Sequence, residues 1–408
     1  MPRLGPDGSP PVTRHPPLTG PAGRGEPAPA GLAVGRQRGA ARGKERPVPA
    51  EATTLAPTAP SRLLRSTRLP SPAGLRAAIP ADPDVRAFVD ASRSATAAIL
   101  HGTDDRLLVI IGPCSVHDPA AALEYADRLL PTTRELADRL HVVLRCYVEK
   151  PRTALGWQGL VNDPGLDGGQ DIDRGLTVSR RLLRDLARRG MPTATEFVDP
   201  LLTGYLADLV TWAAIGARTA QSPAHRQLCS ALDLPVGIKN TTAGNIGPAV
   251  DAVRVAADPQ TFSGLDADGA VSVLSSAGNP DCHVILRGGD DGPNYSTADV
   301  AATTGLLRTS GLRPRLVVDA SHGNSGKDHL RAEQVVAELA VRVGDGEPGI
   351  AGVMVESFLR SGRQDLVTGR PDLLDHGRSI TDSCSDLDAA RTMLRQLADG
   401  VERARRHR

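Results

Sequence analysis

From Arg106 onward, short apolar runs rich in Val, Ile and Leu alternate with segments whose apolar residues recur at helical spacing. The runs fall at 107–111, 142–144, 193–196, 214–218, 236–239, 283–287, 316–319 and 352–356. None alternates polar with apolar positions, and that is the pattern of strands covered on both faces of a parallel sheet. Helical periodicity fills the gaps at 120–130, 177–188, 205–212, 249–256, 300–310 and 330–342. Eight such β/α units within roughly 250 residues predict an α/β protein built on a closed (β/α)8 TIM barrel. A doubly wound open sheet is the alternative, but no glycine-rich phosphate fingerprint follows the first run. Upstream, residues 82–100 carry a further helical pattern, opened by Asp82-Pro83, a pair suited to an N-cap and first helical position.

Composition changes the picture at the N-terminus. Residues 1–60 contain 13 Pro and 9 Gly and no aromatic residue. Such a segment has too little apolar surface to offset its ordering entropy. The chain is therefore expected to divide into a disordered tail at 1–63, an N-terminal extension packing on the barrel at 64–105, and the barrel at 106–408. A net charge of +1 over 408 residues argues against a nucleic-acid partner. No apolar run is long enough to span a membrane. Five scattered cysteines without a C-x-x-C pair suit reduced thiols and a cytoplasmic protein.

Candidate chemistry sits where the predicted strands end. A barrel gathers the C-terminal ends of its strands on one face, where active sites form. Those ends read Cys114, Arg145 with Lys150, Glu196, Arg218, Lys239, Arg287, His322 and Glu356. The cations suit a ligand bearing carboxylate and phosphate groups. Cys114, His322 and Glu356, with Asp382 downstream of the eighth run, form a mixed sulfur, nitrogen and oxygen set suited to a divalent transition metal: Mn, Fe, Co or Zn. Taken singly, such residues are more often satisfied structural groups than ligand contacts.

The order and wording of the motifs go further. IGPCSVHD (111–118), RCYVEKPRTALGWQGLVNDP (145–164), ATEFVDP (194–200), IGARTAQSPAHRQL (215–228), PVGIKN (235–240), NPDCHVILRGG (279–289), VVDASHGNSGK (317–327), GVMVESFL (352–359) and SITDSC (379–384) resemble the microbial type I class of 3-deoxy-D-arabino-heptulosonate 7-phosphate (DAHP) synthases. The resemblance implies condensation of phosphoenolpyruvate with erythrose 4-phosphate, the first step of the shikimate pathway. It also implies a homodimer or homotetramer.

By position it assigns the metal to Cys114, His322, Glu356 and Asp382. Phosphoenolpyruvate falls to Arg145, Lys150, Glu196, Gly216, Ala217, Arg218, Lys239 and Arg287, and the phosphate of erythrose 4-phosphate to Arg152 and Thr153. Lys150 is the expected proton donor or relay, with its pKa lowered by neighbouring cations. The alternatives are a related phosphoenolpyruvate-dependent aldol-type synthase acting on another aldehyde, such as an amino-sugar variant, and a non-catalytic barrel. Where the family holds an aromatic effector, this chain departs at Gly204 and Asp233.

Overall fold

The computed structural model describes residues 62, 64–152 and 155–407. The expected tail therefore lies outside the described residues except for Arg62, and so does Thr153. In chain order the elements are α1 (Pro72–Ala78), α2 (Pro83–His101), β1 (Leu107–Gly112), α3 (Pro119–Glu135), β2 (Leu140–Arg145), α4 (Ile172–Arg188), β3 (Thr193–Glu196) and α5 (Thr203–Leu206). There follow β4 (Trp212–Ile215), α6 (Pro223–Ala231), β5 (Val236–Lys239), α7 (Gly247–Ala257), β6 (Gln260–Leu265) and β7 (Val271–Ser276). The series closes with β8 (His283–Leu286), α8 (Thr297–Thr309), β9 (Leu316–Asp319), α9 (His329–Gly344), β10 (Ile350–Glu356) and α10 (Leu387–Arg406).

Eight of these strands form a closed parallel barrel in the order β1, β2, β3, β4, β5, β8, β9, β10, with β10 pairing back onto β1. The strands are buried on both faces and mostly apolar, and several end in a polar or charged residue, among them Arg145, Glu196, Lys239, Asp319 and Glu356. On β1, Leu107, Val109 and Ile111 pack outward in the helix-facing core, while Leu108 and Ile110 fill the interior. That interior also receives Ile99 from α2, so the end of this helix plugs the barrel at the N-terminal ends of its strands. Burying each such aliphatic side chain contributes about 1.5–3 kcal/mol.

Local signals set the helix starts. Asp118 caps α3 by accepting from the amides of Ala120 and Ala121, with Pro119 as the first helical residue. Asp82 occupies the N-cap of α2 as expected but makes no capping bond; its carboxylate pairs instead with Arg188.

Two expected elements need correction. The helix expected at 205–212 is the single turn α5 followed by a 3-10 turn, Ala207–Leu209. Trp212 opens β4, because the barrel interior buries its ring and His283 accepts from its indole N–H at 3.2 Å. The fourth strand accordingly ends at Ile215, and Gly216, Ala217 and Arg218 lie in the loop beyond it. The expected segments also did not include α6, the amphipathic α10 or the antiparallel β6–β7 hairpin, which forms a sheet separate from the barrel.

Candidate active site

Beyond the C-terminal ends of the barrel strands lies a cavity of about 370 Å³. Six of its lining residues are Lys or Arg: Lys150, Arg152, Arg218, Lys239, Arg287 and Lys327. They face three carboxylates, Glu196, Asp290 and Asp382, together with His322. The excess of cations over carboxylates around a small volume suits a polyanionic occupant. Gly216 and Ala217 complete the wall. A Cβ on Gly216 would stand 2.3 Å from Glu196 Oε1, so a larger residue there would push the Glu196 carboxylate from its present position.

Below this cavity lies a second cluster. Ligand atoms of Cys114, Glu356 and Asp382 all fall within 4.8 Å of one another. Each comes from a different exit: Cys114 from the turn after β1, Glu356 from the end of β10, and Asp382 from the long loop before α10. The Cys114 sulfur is 3.6 Å from Asp382 Oδ2 and accepts from the Asp382 amide at 3.4 Å. His322, three residues beyond β9, lies outside this trio but borders it, with Nε2 at 3.5 Å from Glu356 Oε1. Glu356 Oε1 is buried without a hydrogen bond of adequate geometry, although Arg145 and His322 stand near it. A thiol and two carboxylates with an unsatisfied oxygen aimed inward fit a divalent cation.

The electrostatics follow from who faces whom. Burial pushes the Cys114 thiol up, and Glu356 and Asp382 add to that. For Glu356 burial raises the carboxyl, but His322, Arg145 and Lys150 together hold it below the ordinary range. Asp382 is likewise raised by burial and driven well below the carboxylate range by Lys150, His322 and Lys327.

Lys150 reverses the sequence expectation. Burial lowers it, but Cys114, Glu356 and Asp382 outweigh both burial and Arg145, so its pKa rises. Its ammonium donates to Cys114 Sγ at 2.8 Å and sits 3.8 Å from Asp382. In the fold it stands near the Glu356 and Asp382 carboxylates, whereas Arg145 and Arg152 are the cations near it along the chain.

Arg145 also takes a place that sequence reasoning did not foresee. Its guanidinium lies beneath the cavity, donating to the carbonyls of Pro113 and Cys114 at 3.0 Å and pairing with Glu356 at 2.9 Å, stacked on the Tyr147 ring. Arg152 lines the cavity while its Nε donates to the Trp157 carbonyl at 2.7 Å. Lys239, almost fully buried, stands 3.2 Å from Asp319.

Three further groups belong to the site. Lys327 stands 3.3 Å from Asp382, and its position five residues after His322 in one motif was the available signal. Asp319 ends β9 as the polar ends of other strands do. Glu149, next to Lys150, accepts from the amides of Val198 and Asp199 and ties the β2 exit to the β3 exit. Away from the site, Gly204 lies against Pro72 of α1, and Asp233 faces Arg93 of α2.

A parallel (β/α)8 barrel with a cation-lined cavity over a Cys/Glu/Asp cluster defines a barrel enzyme for small polyanionic substrates. The chain belongs to the DAHP synthetase I family, whose sequence profile matches residues 84–395. It is 46% identical over 363 residues to a phospho-2-dehydro-3-deoxyheptonate aldolase of Corynebacterium glutamicum, covering 88% of this chain and 98% of that protein. It is 48% identical over 341 residues to a Trp-sensitive enzyme of the same name from Enterobacter agglomerans, covering 83% and 97%. A solved structure of the Francisella tularensis aldolase superposes with a TM-score of 0.82 at 40% identity, covering 84% of this chain and 99% of that one. Among the described residues no helix is long and apolar enough to cross a membrane.

Proposed function

We infer that this protein is a transferase that condenses phosphoenolpyruvate with erythrose 4-phosphate and releases phosphate, the DAHP synthase reaction that opens the shikimate pathway. The observation that carries this reading is the stack of two sites: six Lys and Arg side chains around one cavity, with the Cys114, Glu356 and Asp382 donors directly beneath.

Phosphoenolpyruvate, with a carboxylate and a phosphate on adjoining atoms, matches the cation density at Arg218, Lys239, Arg287 and Lys150, with Gly216 and Ala217 leaving room for it. Arg145 supports this pocket from below, fixing the Cys114 turn and Glu356. Arg152, at the cavity's other wall, is placed for the phosphate of the second substrate; Thr153, which follows it, is the expected companion. Holding two highly charged substrates together replaces a bimolecular encounter by a positioned one, and much of the rate acceleration comes from that.

Cys114, His322, Glu356 and Asp382 would hold a divalent ion (Mn, Fe, Co or Zn), which when bound supplies Lewis-acid polarisation of the aldehyde oxygen. The chain's own residues do the rest. C3 of phosphoenolpyruvate attacks the aldehyde carbon, water adds at C2, and phosphate leaves by C–O cleavage. Lys150, whose ammonium stands beside Cys114 and Asp382, is the group placed to donate a proton to the developing alkoxide. Glu196 faces the phosphoenolpyruvate pocket as a hydrogen-bond acceptor for the attacking water.

The five unpaired thiols support a cytoplasmic setting. The homodimer or homotetramer implied by the family is read by light scattering. Release of phosphate from the two substrates, with arabinose 5-phosphate as the competing aldehyde, tests the activity itself.

A further inference from the structure

One buried oxygen is claimed from both sides of the active site. Asp319 ends β9 with no solvent exposure. Its Oδ1 accepts from the Ser321 amide at 3.0 Å, which fixes the carboxylate plane. Its Oδ2 lies 2.9 Å from His322 Nδ1 and 3.2 Å from Lys239 Nζ. Neither Oδ2 nor His322 Nδ1 makes a hydrogen bond of adequate geometry, so both are buried, close and incompletely satisfied. His322 itself sits at a left-handed φ of 55°, a conformation that a non-glycine residue holds only when its surroundings impose it. With Nδ1 facing Asp319, the other ring nitrogen faces Glu356 and the donor cluster.

We propose that Asp319 is a positioning residue that couples the metal donor set to the phosphoenolpyruvate pocket through this shared oxygen. The inference rests on the functional reading above. An anionic substrate draws the Lys239 ammonium toward itself and away from Asp319. The freed carboxylate then aligns more strongly with His322 N–H, making Nε2 a better electron-pair donor, as carboxylates behind metal-bound histidines do. A cation held on Nε2 strengthens the His322–Asp319 bond in turn and frees Lys239 for the substrate. The two ligands therefore tighten each other, by the same factor in each direction.

The test is binding in the absence of any aldehyde. The affinity of the chelator-stripped protein for Mn²⁺ is measured by the paramagnetic resonance signal of free Mn²⁺, with and without saturating phosphoenolpyruvate. The native protein should bind Mn²⁺ about fivefold or more tightly with phosphoenolpyruvate present. In Asp319→Asn, which preserves volume, Mn²⁺ affinity should fall about 10- to 100-fold, and the phosphoenolpyruvate effect should shrink toward none.

Lys239→Met supplies an arm that a merely structural Asp319 would not move. It should tighten Mn²⁺ binding with no substrate present, and this gain should vanish when Asp319→Asn is combined with it. Circular dichroism verifies that each variant is folded; if Asp319→Asn is not, the native and Lys239→Met titrations decide the matter. An equal phosphoenolpyruvate effect in native and Asp319→Asn protein overturns the coupling, as does a native protein that binds both ligands independently. A native protein that binds neither ligand overturns the functional reading and the coupling with it.

Discussion

At Cys114 the fold works against ionisation, because burial and two nearby carboxylates all favour the thiol. A cation bound there must displace that proton, so its affinity should rise with pH. Cys114→Ala should remove most of the metal found by elemental analysis while leaving the circular dichroism spectrum unchanged. Native metal content in that variant would show that the ligand set is drawn wrongly.

Glu149 is a second buried acid. Burial raises its carboxyl to about 8, against the lowering effect of the two amides that bind it, with Asp199 and Glu196 adding to the rise. The sign follows from proton counting: the folded state keeps a proton between about pH 4.5 and 8 that the unfolded state has released. The stabilisation is complete below the unfolded value and is lost as pH rises to 8, at about 1.4 kcal/mol per pH unit. In Glu149→Gln, which cannot ionise, this part of the pH slope should disappear from urea-unfolding curves recorded between pH 5 and 9. Parallel slopes for the two proteins would contradict the assignment.

These residue-scale effects were not legible in the sequence. Lys150 reads as a cation among Arg145 and Arg152, and nothing in the spacing says that Cys114, Glu356 and Asp382 will surround it. The direction of a pKa shift depends on three-dimensional neighbours, and those come from strands far apart in the chain.

Among the elements, α2 has the clearest energetic role. Ile99 is fully buried and belongs, with Leu108 and Val317, to the cluster that fills the barrel interior. Ile99→Ala should cost about 2–5 kcal/mol by leaving a cavity there. It should leave kcat and KM essentially unchanged below the melting transition. A melting temperature within a degree of native would show that the barrel end is not sealed by this contact.

The barrel strands were readable because burial on both faces leaves a continuous apolar run, as in Leu107, Leu108, Val109 and Ile110. The hairpin was not. Its strands alternate between half-buried and exposed positions, and Ser263, Gly264, Ser272 and Ser275 dilute the β-branched signal. The helix expected at 205–212 failed for a different reason: Arg93 of α2 binds the Ala207 and Val210 carbonyls, and Trp212 is drawn into the barrel interior. Tertiary contacts decided that segment, and local periodicity could not report them.

For the whole molecule, the barrel converts eight separate strand ends into one face, and so a list of polar residues read along the chain becomes a site. Of the residues read that way, Lys150, Glu196, Arg218, Lys239, Arg287 and His322 meet around the cavity. Cys114 and Glu356 meet Asp382 beneath it. Strand-end reading placed them on one face because parallel topology demands it. It gave no hint that the Arg145 guanidinium, expected to bind phosphoenolpyruvate, also faces Glu356 and two backbone carbonyls.

The central claim is that cavity and cluster act together on two phosphorylated substrates. The direct measurement is inorganic phosphate released from phosphoenolpyruvate and erythrose 4-phosphate by the purified protein, before and after treatment with a chelator. Release should require both substrates, stop when the chelator strips the protein, return with Mn²⁺ or another divalent transition metal, and be much slower with arabinose 5-phosphate. Full activity in protein shown by elemental analysis to be metal-free, or no phosphate release with any aldehyde in the presence of metal, would contradict it.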